Sequence, residues 1–535
     1  MEQAAARDQP PGRGIVRLSD HLAPWPLVAA FCLIALPWLN PFTHGPTAAV
    51  VPFLVSLACA AALLLVCGGA LGRLTAAQLE SASARAWLAA ALLSATIGVL
   101  QYFGATALFG PWVNATQVGE AFANLRQRNQ FATLTNIGLV ALAWLAVKYR
   151  EHQRWRLLAA AILLVTANAA SSSRTGLLQL LALAVIAGVW GGWRQPDVRR
   201  ALVVSAMAYA AAAAALPVLA GLDATTNGIL ARLREGDVAC ASRLTLWNNV
   251  LYLIAQKPWL GWGWGELDYA HFITLYPGAR FCDILDNAHN LPLHLAVELG
   301  VPVAALACSL GLWMVWRTRP WTETHPVRQM AWAVLAVILL HSMLEFPLWY
   351  GPFQMAACLA VWILVRSRRV MQADTGAEDE ARSQGGAVLP SPRAKLIAVC
   401  LAIVLAVCVG YAAWDYHRIS QIYLPTKMRA PAYRENTLEK IRGSWLFRNQ
   451  VRFAEFTTTE LNPANAADLR AMGWELLHFS PEARVVEKLA ESALMLRRDD
   501  EALALQARYR VAFPREHALW VKTSKLASSL PSRMD

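Results

Sequence analysis

Residues 48–68 have the sequence AAVVPFLVSLACAAALLLVCG, which contains no charged side chain. A run of roughly 17–25 apolar residues is long enough to cross the hydrocarbon core of a membrane as a helix. Such a run must be helical, because lipid offers no hydrogen-bonding partner to a free backbone group. Apolar runs of this kind recur along the chain, so the sequence predicts an all-α, polytopic membrane protein.

The composition of the whole chain supports this fold class. Of its 535 residues, 56% are hydrophobic and only 16% are charged, whereas a soluble domain usually carries about 25% charged residues. The net charge of +12 does not indicate nucleic-acid binding, because the basic residues fall in loops between apolar runs, as membrane orientation requires. The first apolar run, Trp25 to Leu39, has no small-residue cleavage site after it, so we expect no cleavable signal peptide.

The apolar runs predict about eleven spans and a fixed orientation. The spans lie near 25–40, 48–68, 86–104, 130–147, 157–173, 176–192, 201–220, 289–316, 328–345, 350–365 and 395–414. Lysine and arginine are more frequent in the loops that lie on the same side of the membrane as the N-terminus. This excess places that side, and the N-terminus with it, in the cytoplasm. The predicted organisation is a cytoplasmic tail (1–24), a membrane domain (25–366) with a large outer loop (221–288), a cytoplasmic linker (367–394), a last span (395–414) and an outer domain (415–535).

The C-terminal outer domain is predicted to be helical and soluble. The runs 466–478, 482–496 and 499–511 alternate apolar and charged residues at helical spacing and are separated by turns. They favour either tetratricopeptide-type helical pairs, for which a full consensus is missing, or a plain helical bundle. The polar residues of the preceding linker predict a disordered segment.

Two cysteines differ from the other seven, which lie in apolar stretches and are expected to be small core residues. Cys240 and Cys282 both belong to the outer loop 221–288. The periplasm is oxidising, so we expect these two to form a disulfide, the alternative being two free thiols packed in the loop. The same loop contains an apolar but Gly- and Trp-rich segment, 251–265, which is too short and broken to span and could dip into the membrane surface.

A polar cluster lies where this large loop re-enters the membrane. Its residues are Asp283-Ile284-Leu285-Asp286-Asn287-Ala288-His289-Asn290. A histidine at such a position can titrate near neutral pH and act as a general base. The structural alternative is a histidine that caps the span. Either aspartate could orient the histidine ring or serve as the base in its place.

Two arginines are candidates for binding a phosphate group. Arg174 lies in a short turn between two apolar runs, where a charge is costly and usually functional, although its side chain could also extend outward to water. Arg243 precedes the Trp-rich segment and, taken alone, resembles an ordinary surface arginine. Guanidinium groups pair bidentately with phosphate, so two arginines suit a pyrophosphate. With a histidine base, they predict displacement of a phosphate-linked group by an alcohol at the outer membrane face.

The motifs around these residues resemble those of a known family. They are His289-Asn290-x-x-Leu293-x6-Gly300, Ser173-Arg174-x-Gly176, Arg243-x-x-x-Trp247 with Pro258-x-x-Gly261-x-Gly263, Gln127-Arg128-Asn129-Gln130-Phe131-Ala132 and Glu345-Phe346-Pro347-Leu348-Trp349-Tyr350. Together they are similar to the protein-glycosylating, O-linked oligosaccharyltransferase branch of the O-antigen ligase and polymerase superfamily. The resemblance covers about residues 25–365 and, more loosely, the C-terminal domain. One departure is Arg128, which stands where many protein-glycosylating members have proline.

The resemblance implies a reaction and a site. His289 would activate the acceptor hydroxyl, while Arg174 and Arg243 would hold the pyrophosphate of an undecaprenyl-linked glycan. The remaining residues of the donor or acceptor site would be Gln127, Asn129, Tyr350 and Asp286. The family needs no metal or other cofactor in the usual account, and no Asp-x-Asp metal motif or Gly-rich nucleotide loop stands near these residues.

Three acceptors are compatible with this family. They are a serine or threonine of a periplasmic protein such as pilin, the lipid A core, and a growing O-antigen chain. The Gln-x-Asn segment and the C-terminal domain favour protein. An alternative from a different functional class is a secondary transporter. Transporters of this kind have internal repeats with broken helices, and the sequence shows no repeat.

Overall fold

The computed structural model describes residues 25–43, 45–68, 74–148, 154–235, 239–374 and 392–524. Within these residues the chain forms α-helices and short 3-10 turns and no β-strand, which confirms the predicted all-α class. The predicted cytoplasmic tail, 1–24, lies outside the described residues.

Seven helices make up the N-terminal half of the membrane domain. They are α1 (Trp25–Leu39), α2 (Val50–Cys67), α3 (Ala76–Tyr102), α4 (Arg128–Lys148), α5 (Arg154–Ala170), α6 (Arg174–Val189) and α7 (Pro196–Leu219). Helix α3 begins well before the predicted start at 86, because Thr75 and Gln78 form a reciprocal capping box there. Helix α4 packs against α3, α5 and α6 and is the most buried apolar helix of the domain.

The large loop 221–288 contains more regular structure than the sequence predicts. It forms α8 (Gly228–Glu235), α9 (Arg243–Gln256) and α10 (Leu267–Ile273). The start of α9 is fixed by Ser242, whose side chain accepts a hydrogen bond from the backbone N–H of Thr245. The apolar residues 251–256, which the sequence grouped with the Trp-rich segment, therefore complete α9.

The predicted span 289–316 is two helices. They are α11 (Leu291–Leu299) and α12 (Val301–Thr318), separated at Gly300, whose φ of 88° stops the helix. The Trp-rich segment lies against this break: the N–H groups of Trp262 and Gly263 donate to the carbonyls of Val297 and Glu298 at 2.8 and 3.0 Å. A close backbone contact, invisible to a hydropathy pattern, thus explains why the span is broken.

The membrane domain continues with α13 (Pro326–Ser342) and α14 (Gly351–Asp374), and α15 (Pro392–Ser420) follows. The predicted linker 367–394 is therefore shorter than expected, since α14 and α15 occupy both of its ends. Residues 375–391 lie outside the described residues. Helix α15 also continues beyond the predicted end of the last span at 414.

Six helices among the described residues are long and apolar enough to cross a membrane. These segments are Val50–Cys67, Ala76–Tyr102, Arg128–Val147, Pro196–Leu219, Val301–Thr322 and Pro392–Tyr423, and shorter apolar helices are Trp25–Leu39, Arg174–Val189, Pro326–Ser342 and Gly351–Ser367. Helices α12 and α15 expose most of their apolar side chains, as lipid-facing helices do. A membrane protein is confirmed, whereas the number of eleven spans stays a prediction.

Between α15 and residue 524, the described residues form six further α-helices. They are α16 (Thr437–Ile441), α17 (Arg448–Thr458), α18 (Ala466–Leu477), α19 (Ala483–Met495), α20 (Asp499–Ala512) and α21 (Pro514–Thr523). Helices α18, α19 and α20 lie within a few residues of the three predicted runs, since their apolar stripes face a common core. The tetratricopeptide type of this domain stays a prediction.

The C-terminal helices are packed against α10 of the large loop. Phe272 of α10 is buried within their hydrophobic core. Tyr269 stacks on His478, with ring centroids 3.6 Å apart, and the guanidinium of Arg508 donates from Nε to the carbonyl of Ile273 at 2.8 Å. The large loop and the C-terminal helices therefore share a core.

Candidate active site

Glu345 is the residue on which several predicted site residues converge. It lies in the turn after α13, and its carboxylate is buried. Gln127 donates from Nε2 to Glu345 Oε2 at 2.6 Å, and Asn129 donates from Nδ2 to Oε1 at 2.9 Å. The guanidinium of Arg243 donates to the same Oε1 at 2.6 Å. One carboxylate thus joins three distant segments of the chain.

The carboxyl group of Glu345 is ionised. Burial alone would raise its pKa, but the charges of His289, Arg243 and His341 lower the pKa to about 2. Removing the partners of such a buried carboxylate would leave an uncompensated charge, which is costly. The charge of Glu345 therefore holds its partners in place.

His289 lies just before α11 rather than on it. Its φ is 50°, and its backbone N–H donates to Asn287 Oδ1 at 2.9 Å. The predicted start of this span at 289 is two residues early, because Asn290 caps α11 and the helix begins at Leu291. A tight turn in the left-handed region positions the ring instead, and such backbone conformations are common at functional sites.

The ring of His289 faces Glu345. Its Nδ1 lies 3.7 Å from Glu345 Oε1, and the ring meets Phe346 edge to face at a centroid distance of 5.1 Å. An ionised carboxylate can only accept a hydrogen bond, so it favours the tautomer with the proton on Nδ1. That tautomer leaves the Nε2 lone pair free to take a proton from another group.

Asn290 ties the histidine turn to the Glu345 turn. Its Oδ1 accepts from Leu293 N at 3.1 Å, and its Nδ2 donates to the carbonyl of Met343 at 3.0 Å. The nearby His294 is buried on α11, with Nε2 3.4 Å from Glu298 Oε2. Among these two histidines, His289 is the one that remains partly exposed to a substrate.

Arg174 is the first residue of α6 and is half-buried. The turn before it is fixed by Ser173, whose Oγ accepts from Gly176 N at 2.9 Å and donates to Asn129 Oδ1 at 2.6 Å. Arg232 of the large loop donates to the carbonyl of Ser172 at 3.0 Å. Arg174 is thus connected to the Glu345 cluster through Ser173 and Asn129.

Arg243, at the start of α9, is held by two acceptors. Its NH1 donates to the carbonyl of Leu344 at 2.7 Å, and its NH2 donates to Glu345. The guanidinium has five N–H donors, so further donors remain for an anion after these two contacts. A phosphate group at this position would share Arg243 with Glu345.

Tyr350 and Asp286 lie beside this cluster. Tyr350 stacks on Phe346 with centroids 5.9 Å apart. Burial raises the pKa of Tyr350, a hydrogen bond with Gln130 lowers it, and the charges of Glu345 and Asp286 raise it further. Asp286 is exposed on the loop before His289. The structure therefore brings Gln127, Asn129, Arg243 and His289 to Glu345, and it places Tyr350 beside them through Phe346. Arg174 is connected through its neighbour Ser173.

Sequence analysis missed Glu345 as the centre of the site. His341 lies one helical turn before Glu345. The backbone N–H of Glu345 donates to the carbonyl of His341 at 2.8 Å, while His341 Nδ1 lies 2.9 Å from Thr133 Oγ1. The signal in the sequence was Glu345 itself, the acidic residue at the start of the motif that ends at Tyr350. The departure at Arg128 is structurally mild, because Arg128 is the first residue of α4, a position at which proline is also favoured.

Cys240 and Cys282 form a disulfide, with Cα atoms 5.3 Å apart, and this prediction is confirmed. The bond links the segment before α9 with the loop that leads to His289. The disulfide therefore joins the segment that carries Arg243 to the segment that carries His289.

Three family models match consecutive parts of the chain. Protein glycosylation ligase matches residues 121–146, which include Gln127 and Asn129. O-antigen ligase matches residues 158–308, which include both arginines and His289. The C-terminal model of the virulence factor membrane-bound polymerase matches residues 329–527, which include Glu345 and the C-terminal helices.

Two relatives from Acinetobacter baylyi are similar to this chain. A general O-oligosaccharyltransferase is 28% identical over 280 residues, which are 50% of this chain and 47% of the relative. A ComP-specific O-oligosaccharyltransferase is 24% identical over 239 residues, which are 44% of this chain and 42% of the relative. The matches thus span less than half the length of either relative, and no solved structure matches the chain. The resemblance to the O-antigen ligase and protein glycosylation ligase families is confirmed.

Proposed function

We propose that the protein transfers a glycan en bloc from an undecaprenyl-pyrophosphate carrier to a serine or threonine hydroxyl of periplasmic proteins such as pilin. The observation that carries this proposal is the convergence of Gln127, Asn129, Arg243 and His289 on the buried carboxylate of Glu345. The relatives named as O-oligosaccharyltransferases and the match to protein glycosylation ligase support a protein acceptor.

His289 is the proposed base. A serine hydroxyl is a poor nucleophile at neutral pH, and a positioned base typically contributes about 10²–10⁴-fold in rate. As the hydroxyl oxygen bonds to the anomeric carbon of the glycan, its proton passes to Nε2 of His289. Glu345, opposite Nδ1, then stabilises the imidazolium that forms.

Arg174 and Arg243 are proposed to bind the pyrophosphate. The bond between the anomeric carbon and the pyrophosphate oxygen breaks, and its electron pair remains on the leaving group. Fixed positive charges stabilise that developing negative charge. The hydrogen bonds that hold Arg243 and the turn before Arg174 support such a preorganised role.

The site is proposed to face the periplasm from the bacterial inner membrane. The basic residues of the loops favour this orientation, and the disulfide suits an oxidising compartment. Single cysteines placed at Gln117, Asn227 and Ser524 should react with an impermeant thiol reagent in intact spheroplasts. Protection of these positions would overturn the orientation.

The function is tested by intact mass of secreted pilin-like proteins with and without the gene. A loss of glycan mass in the deletion strain, restored by the wild-type gene and not by a His289→Ala variant, is the expected result. A second candidate is an O-antigen ligase or polymerase acting on a glycan acceptor, because models of both families match the chain. Unchanged protein masses with altered lipopolysaccharide would favour it.

Purified protein distinguishes both candidates from a transporter. In detergent it should move glycan from the lipid-pyrophosphate donor to an acceptor without added nucleotide or ion gradient. A protein that moves a solute across vesicles and transfers no glycan would instead be a transporter.

A further inference from the structure

Two tryptophans that no predicted role uses form a stacked pair beside the candidate active site. Trp264 belongs to the Trp-rich segment, and Trp349 lies in the short turn between Glu345 and α14. Their rings are inclined by only 11°, with centroids 6.1 Å apart. Trp264 is 62% exposed and Trp349 is 37% exposed, so much of this aromatic surface is open.

The pair rests on a buried support. His294 meets the edges of both rings, at centroid distances of 6.0 Å to Trp264 and 5.0 Å to Trp349. His294 is itself buried and lies 3.4 Å from Glu298. The rings are therefore held in a fixed arrangement, and ordering them costs little when a ligand binds.

The surroundings of the pair are polar and close to the proposed chemistry. Trp349 immediately precedes Tyr350, which stacks on the same Phe346 ring that contacts His289. Asp286 is exposed, and its charge acts on Tyr350. Glu266, two residues after Trp264, is partly exposed as well. The segments that carry the two tryptophans thus also carry or adjoin carboxylates that can accept hydrogen bonds.

We propose that Trp264 and Trp349 bind the glycan of the lipid-linked donor. A sugar ring has an apolar face of C–H groups, which packs on an indole, and a rim of hydroxyls, which donate to carboxylates such as Asp286 and Glu266. The inference rests on the proposed function. It assigns the glycan to the aromatic and acidic surface and the pyrophosphate to the arginines, so that the anomeric carbon between them lies near His289.

A membrane anchor is the competing role of an exposed tryptophan. Trp259 and Leu260, in the same segment, are 75% and 86% exposed. Such side chains suit the membrane interface. Trp264 differs because it is stacked on Trp349 and supported by His294, and these contacts connect it with the site.

The experiment compares Trp264→Ala, Trp349→Ala and the matched control Trp259→Ala in purified protein. Each is assayed with undecaprenyl-pyrophosphate donors that carry either one sugar or an oligosaccharide, and also with an oligosaccharide on a shorter polyprenyl chain. We expect Trp264→Ala to raise the KM for the oligosaccharide donor about threefold to tenfold, the loss of one aromatic contact. Trp264→Phe should recover part of the loss, and Trp259→Ala should leave the KM unchanged.

Two results would overturn the glycan site. One is an equal rise in the KM with every donor glycan. The other is a rise in the KM that depends on the length of the polyprenyl chain, as expected for a membrane anchor. Saturation-transfer NMR with the free, lipid-less oligosaccharide provides a separate readout, in which Trp264→Ala should lose the signal of bound sugar. If the wild type binds this sugar and transfers glycan to no protein, the proposed function fails and the glycan site stands.

Discussion

At the scale of single residues, Glu345 explains why the motifs of this chain occur together. Its carboxylate accepts hydrogen bonds from Gln127, Asn129 and Arg243 and faces the ring of His289. Each of these residues is therefore placed relative to the same charge. A change at Glu345 should disturb all of them, although we expect no direct contact between Glu345 and the transferred sugar.

Glu345→Gln is the direct test of this role. Glutamine keeps the size of the side chain but lacks the charge, so its amide would meet Arg243 and the Nδ1–H of His289 as a poorer acceptor. Losing a hydrogen bond to a charged group corresponds to about 10–100-fold, and we expect transfer to fall by that factor. Steady-state kinetics measure it. Near-normal activity would show that the charge is dispensable.

Glu345 should also make the stability of the protein depend on pH in acid. The folded pKa of about 2 lies below the unfolded value of about 4.3, so the stability that Glu345 contributes is fully present above the unfolded pKa. It is lost as the pH falls through the folded pKa. Above pH 5 this contribution is fully present. As the pH falls from 5 toward 2, the melting temperature of the wild type should therefore fall toward that of Glu345→Gln.

His289→Ala should abolish transfer while leaving expression and donor binding intact. Only the ring that faces Glu345 can take the hydroxyl proton in the proposed mechanism. His294→Ala should be milder, because His294 is buried and supports the tryptophan pair. Substantial activity of purified His289→Ala would make Asp286 the next candidate base.

The arginines can be tested by charge-conserving changes. Arg174→Lys should impair transfer nearly as much as Arg174→Ala, since lysine cannot reproduce the bidentate fork toward phosphate. Arg243→Lys should behave likewise, because the guanidinium also donates to Leu344 and Glu345. Transfer assays with both lysine variants decide the matter. Normal rates would mean that net charge is sufficient.

At the scale of elements, the helices with amphipathic or apolar periodicity were predictable and the breaks between them were not. Helices α18 to α20 match their predicted runs because an apolar stripe appears in sequence. The break at Gly300 depends on the Trp-rich segment, which only the fold brings there. A Cβ at Gly300 would lie 2.1 Å from the carbonyl oxygen of Trp259. For the same reason, Gln127 and Glu345 could not be paired from sequence.

Gly300→Ala should therefore disturb the site without altering any proposed site residue. The new Cβ would collide with backbone, and a non-glycine residue at a positive φ adds roughly 1–2 kcal/mol. We expect a lower melting temperature and weaker transfer. Gly311→Ala in α12 is the matched control, since open space surrounds it, and it should leave both unchanged. Equal behaviour of the two variants would contradict a structural role for the break.

At the scale of the whole molecule, the C-terminal helices pack against the large loop that leads to His289, the proposed base. The loop that contains the disulfide and leads to His289 also carries α10, and Phe272 of α10 is buried among the C-terminal helices. His478 pairs with Glu266 at 2.6 Å, next to the Trp264 segment. Contacts thus run from the C-terminal core to the edge of the site. The position of the large loop therefore depends on the C-terminal helices.

Phe272→Ala should weaken the packing of α10 against the C-terminal helices. Removing a buried phenylalanine typically costs about 3–5 kcal/mol, and here the cost falls on the contact between α10 and the C-terminal helices. We expect faster proteolysis within residues 267–285 and reduced transfer, although all proposed site residues are intact. Leu519→Ala, which truncates an exposed side chain on α21, is the control and should change neither. If Phe272→Ala loosened the loop and transfer stayed normal, the C-terminal helices would not be needed to position the catalytic loop.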